Sequence, residues 1–74
     1  MATGDVHTVP HDRGWANRVE GGAGVSSVHP TKVEAQRQGR EMAIRRKVEH
    51  LIHKRDGSIG ERNSYGNDPA SRPG

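Results

Sequence analysis

A chain of 74 residues that is 28% hydrophobic, with one Trp, one Tyr and no Phe, can bury only a thin apolar layer between a sheet and one helix. The absence of Cys excludes disulfides, thiolate zinc sites and cysteine nucleophiles. The net charge is +3 and the pI near 10.0, which points to phosphate-bearing partners rather than cationic ones.

A deep, dry catalytic pocket would compete with the core for the same few apolar residues, so the composition points away from an enzyme. Secreted domains this short usually need cross-links, so a cytoplasmic setting is expected. No apolar run has the length of a signal-peptide core or a membrane span. The positive charge is concentrated. Lys32, Arg37, Arg40, Arg45, Arg46, Lys47, Lys54 and Arg55 stand against only Glu34, Glu41 and Glu49, while both flanking segments are slightly acidic. Such a cluster acts over about 8 Å at physiological salt.

In chain order, residues 6–9 (Val-His-Thr-Val) read as a short strand that Pro10 ends, because Pro cannot serve a central ladder. Residues 11–14 have turn composition, and residues 15–20 form the return strand. Residues 21–24 (Gly-Gly-Ala-Gly) are a flexible connection, and residues 25–28 a weak third strand at an edge. Thr31 and Glu34 fit a capping box opening a helix over residues 32–47. Its buried stripe is Ala35, Gly39, Met42 and Ala43, extending to Arg46. Lys32, Arg37, Arg40, Glu41 and Arg45 lie on the opposite side.

Residues 48–55 return to strand character, and Asp56-Gly57 predicts a two-residue type I′ hairpin. That loop places Ile52 opposite Glu61, His50 opposite Asn63 and Lys54 opposite Ile59. Val48, Ile52, Ile59 and Tyr65 then form the core face. Glu49, Leu51, His53, Arg62 and Ser64 form the outer one. A longer loop with a bulge shifts this register. Residues 67–74 are expected to be a disordered tail behind one compact domain over residues 5–66. The predicted fold is α+β, a small antiparallel sheet packed against one α-helix in the order β-β-(β)-α-β-β.

The chain resembles a bacterial family catalogued as domain of unknown function 2188, over roughly residues 4–69. The resemblance rests on Gly4-Asp5-Val6-His7 with Val9-Pro10, on Gly14-Trp15, and on Thr31 with Glu34-Ala35. It continues through Val48-Glu49, His53, Asp56-Gly57 and Ile59 to the ending Asn63-Ser64-Tyr65-Gly66-Asn67-Asp68-Pro69. It implies a compact small domain and supplies no catalytic residues. Asn17 and His50 depart from its pattern, standing where relatives carry aliphatic residues. Both fall on the inferred core face, and a hydrogen bond between them, direct or through water, is the expected compensation.

The sequence offers little catalytic chemistry. None of His7, His11, His29, His50 and His53 falls on the predicted helix, so the four-residue spacing of His7 and His11 is not a helical pair; with no HExxH pattern, they read as scattered surface residues rather than a metal site. His50 and His53 point to opposite faces of their strand. Ser26, Ser27, Ser58 and Ser64 lack a neighbouring base held by a third group. The glycines at 21–24 are not followed by Gly-Lys-Ser/Thr, so they form no phosphate loop, and nothing brings Asp12 and Glu20 into a cleft. No metal, cofactor or membrane partner is expected.

The basic helix is the strongest lead. Lys32, Arg37, Arg40 and Arg45, with Lys54 and Arg55 at the hairpin tip, are the candidate nucleic-acid contacts, set against a solvated face that only maintains solubility. Trp15 and Tyr65 read as core residues, so no aromatic stacking platform is expected. The alternative is a protein-interaction or homodimerisation module using the edge strand at residues 25–28, or Leu51 on the outer face.

Overall fold

The computed structural model of the protein describes residues 4–66. The elements are β1 (Val6–His11), β2 (Gly14–Val19), β3 (Ser27–His29), α1 (Lys32–Arg46), β4 (Glu49–His53) and β5 (Ile59–Ser64). They form a five-stranded sheet in the order β3-β2-β1-β4-β5, with α1 against β1, β2, β3 and β4. The tail expected at residues 67–74 lies outside the described residues.

The fold is α+β, as the pattern of elements predicts, and the sheet is antiparallel except at one seam. β1 and β4 run parallel, with Val6 opposite His50 and Thr8 opposite Ile52. Successive elements alternate in direction, so β4, the fifth, points the same way as β1 and takes its place beside it. Pro10 lies inside β1 rather than ending it, opposite Trp15. The β4 pairing covers only Val6 to Thr8, so the side of β1 facing β4 is unpaired at Pro10, where no ladder donor is required.

The capping signals act as expected at the helix start, where Thr31 Oγ1 accepts from the Glu34 amide at 3.2 Å. Lys47 closes the helix in the left-handed region at φ 59° and ψ 48°, and Val48 N–H bonds back to the Ala43 carbonyl at 3.0 Å. Ala35, Gly39 and Ala43 are buried. Met42 is half-buried and Arg46 exposed. The stripe therefore stops one turn early, and Arg46 turns its guanidinium to the Gly4 carbonyl, Nε to O 3.4 Å.

The sheet has two unlike faces. Toward the helix lie Val6, Thr8, Trp15, Asn17, His50 and Ile52, all buried. Away from it lie His7, Ala16 and Leu51, also buried. Leu51 was expected on an outer, interacting surface. It is instead 1% exposed, because it occupies a central position between His7 and Arg62 on the neighbouring strands. The expected core face also loses a member, since Ile59 is exposed and Val48 and Tyr65 are half-buried.

The cause is the hairpin. Pairing holds for His50 with Asn63 and Ile52 with Glu61, then a bulge between Ile52 and His53 sets Ile59 opposite His53 instead of Lys54. The loop is longer than two residues. Lys54 N–H reaches the Ser58 carbonyl at 2.6 Å, and Gly57, at φ 96°, bonds to the Lys54 carbonyl.

Candidate functional site

Five of the thirteen buried residues among those described are polar: Asp5, His7, Thr8, Asn17 and His50. Buried polar groups need partners, and here the partners are one another. Alternation along β1, β2 and β4 brings Thr8, Asn17 and His50 side by side under Gly39. The Thr8 hydroxyl donates to Asn17 Oδ1 at 2.6 Å and lies 2.7 Å from His50 Nε2. Having spent its proton on Asn17, it accepts from His50, which fixes His50 as the Nε2–H tautomer. Asn17 Nδ2 donates to the Ala35 carbonyl at 2.8 Å and to Ser27 Oγ at 3.3 Å.

Asn17 and His50 therefore do meet at the sheet–helix interface, bridged by Thr8 rather than bonded directly or through water. His50 Nδ1 is buried without a hydrogen-bond partner. Burial holds the His50 pKa below its ordinary value, with Glu61 opposing and His7 reinforcing that shift.

On the other face His7 Nδ1 lies 2.9 Å from His53 Nε2, and His7 Nε2 contacts the Glu20 carboxylate. The histidines are thus not scattered over the surface as their spacing suggested: His7 and His50 are among the most buried side chains, and His7 and His53 touch. The contact was hidden because His7 and His53 are 46 residues apart and meet only through the parallel seam. Among the described residues no group of three or more His, Cys, Asp or Glu could hold a metal ion. No helix there is long and apolar enough to cross a membrane.

The six basic candidates do not form one patch. Arg37 and Arg40 line a shallow groove with Val33 and Gln36. Arg45 follows further along α1 beside Glu41 and Ile44. All three arginines are exposed. Lys32 is half-buried, with Nζ 4.9 Å from the centre of the Trp15 ring. Lys54 and Arg55 are exposed on the β4–β5 turn. β4 ends on the side of the sheet where α1 begins, so the turn sits at the Lys32 end of a helix about 22 Å long, away from Arg45. Arg40 Nε donates to the Tyr65 hydroxyl at 3.2 Å. No ion pair joins any of the six to a carboxylate among the described residues.

This small cationic helix on a five-stranded sheet can be set beside known proteins. The family described as "Uncharacterized protein conserved in bacteria (DUF2188)" matches residues 6–65, which is β1 through the residue after β5. The chain belongs to the DUF2188 family. A relative is the uncharacterized protein YdaT of Bacillus subtilis (strain 168), 38% identical over 53 residues. The match covers 72% of this chain and 35% of YdaT, so the DUF2188 chain spans about a third of that relative's length. No solved structure matches. The DUF2188 description carries no activity, and the geometry of the chain itself is the guide to function.

Proposed function

We propose that the domain binds nucleic acid through the phosphate backbone, without base specificity and without catalysis, using Arg37, Arg40 and Arg45 on α1. The carrying observation is three exposed guanidinium groups on one helix, none held by a carboxylate among the described residues. Lys54 and Arg55 form a second, separate contact at the β4–β5 turn. Trp15 is buried, and the Tyr65 hydroxyl is engaged by Arg40, so neither supports a stacking platform. Binding of this kind is weak, with a dissociation constant of about 10⁻⁴–10⁻⁶ M, and falls steeply with salt.

The test is fluorescence anisotropy of a labelled duplex across a salt series. Three phosphate contacts give a slope of log K against log salt of about −3. Arg37→Glu with Arg45→Glu should remove detectable binding while leaving the fold and the Arg40–Tyr65 bond intact. Binding that is unchanged in the double variant, or independent of salt, rejects the helix as the site.

The edge-strand alternative was expected at residues 25–28, which overlap the short edge strand β3; the longer open edge is β5, whose outer side has no neighbour among the described residues and whose residues are mostly exposed. Its bulge and the charged Glu61 and Arg62 are devices that discourage strand addition, and β3 offers only three residues. These features favour the arginine face over the edges. Light scattering at high protein concentration checks the alternative: a dimer lost when β3 or β5 is altered would restore it.

A further inference from the structure

The hydrogen-bond chain through His7 and His53 has an acceptor at both ends. The Glu20 carboxylate lies against His7 Nε2. His7 Nδ1 and His53 Nε2 are 2.9 Å apart. His53 Nδ1 is 2.8 Å from the Gly57 carbonyl oxygen. Neither a carboxylate nor a carbonyl has a proton to give, so each of these contacts requires an N–H from a ring. Three contacts then need three protons on four ring nitrogens, and two neutral imidazoles supply only two.

We infer that His7 and His53 hold one extra proton between them, shared across His7 Nδ1 and His53 Nε2, so that the pair carries a single positive charge balanced by Glu20. A neutral pair keeping both end bonds would face two bare lone pairs at the centre. A neutral pair keeping the central bond would set an acceptor against an acceptor at one end.

The surroundings fit a charge held by contact rather than by a general field. On the same face stand Asp5 before β1, Arg18 opposite His7 on β2, and Glu49 and Arg62 on β4 and β5. Arg62 and Glu49 are paired to each other, and Asp5 accepts from the Glu49 amide. Lys54, Arg55 and Asp56 lie in the turn beyond His53, His50 lies on the other side of the sheet, and α1 packs on that other side. The Glu20 carboxylate is the charge in contact with His7.

A metal ion fits the spacing less well. Two nitrogens on one tetrahedral zinc, at about 2.0–2.1 Å from it, would stand about 3.3 Å apart, and among the described residues no third side-chain ligand joins them.

The consequence is a latch. His53 Nδ1–H fastens the sheet to Gly57, in the turn that carries Lys54 and Arg55. Loss of the shared proton forces one of the three bonds to break. This inference does not rest on nucleic-acid binding and needs no nucleic acid to test.

The experiment is long-range ¹H–¹⁵N NMR of the histidine rings in the full chain, from about pH 5 to about pH 9. The expected result is that His7 Nε2 and His53 Nδ1 are protonated near neutral pH, while the two facing nitrogens share a third proton. Its loss on raising pH should shift the Asp56, Gly57 and Ser58 amides in the same transition. Glu20→Gln should move that transition to lower pH. Two neutral rings at every pH where the protein is folded would overturn the inference. So would facing nitrogens that show no shared proton and bind one equivalent of zinc.

Discussion

At Gly39 the structure tolerates no side chain. A Cβ there would stand 2.5 Å from Asn17 Oδ1 and 2.7 Å from both His50 Nε2 and Thr8 Oγ1. Ala is the better helix former by about 1 kcal/mol, but these neighbours are fixed by one another and cannot retreat. Gly39→Ala should therefore destabilise the protein by about 1–3 kcal/mol net, read as a lower urea midpoint at unchanged slope. Thr8→Val keeps the shape of the side chain and removes the bridge, leaving Asn17 Oδ1 and His50 Nε2–H buried without it. Its cost should be about 1–3 kcal/mol. His50 gives a pH signature. Its pKa is lowered by burial, so the unfolded chain binds a proton that the folded one resists. Stability from this group is full above about pH 6.5, the unfolded value, and declines as pH falls below it. Urea midpoints across that range should show the decline, and His50→Leu should reduce it. Strand alternation alone placed Asn17 and His50 on the helix side of the sheet. Thr8 was not legible as their bridge, because that depends on β4 lying beside β1.

Among the elements, α1 was the most legible, since its start is written in local chemistry. Thr31→Ala should cost about 1 kcal/mol through loss of the cap to Glu34, measured by thermal or urea unfolding. Its end was legible only to within a residue, because Lys47 holds a left-handed conformation that sequence composition assigns to Gly or Asn. Lys47→Gly should accordingly raise stability by about 0.5–1 kcal/mol. A drop instead would show that the Lys47 side chain contributes more than its backbone strain removes. The β4–β5 hairpin was legible in its body and misread at its tip. Asp56-Gly57 signals a two-residue turn, but the Asp56 carboxylate accepts from the Ser58 amide at 2.9 Å and the Ser58 hydroxyl at 2.7 Å. Those bonds close a wider loop and hold the Asp56 pKa below its ordinary value. His53 adds a bond to the Gly57 carbonyl that no local pattern announces.

For the molecule as a whole, the order of strands and helix was readable because each is bounded by its own turn or cap. The spatial neighbours were not, since nothing in β1 or β4 taken singly says that they pair in parallel. That one seam decides which histidines meet, which face buries Leu51, and how far the basic turn lies from Arg45. The basic residues and their division between helix and hairpin tip were legible in the sequence, but the distance from that tip to Arg45 was not. β1 precedes the other described elements and is central in the sheet, with β2 on one side and β4 on the other. Its second neighbour arrives late: Val6 pairs with His50, and at about 5–20 residues per second that partner is synthesised about 2–9 s afterwards. During translation the β1–β2 hairpin therefore waits with the inner edge of Val6, His7 and Thr8 open, the stretch of backbone best placed to pair with another nascent chain before its own has arrived.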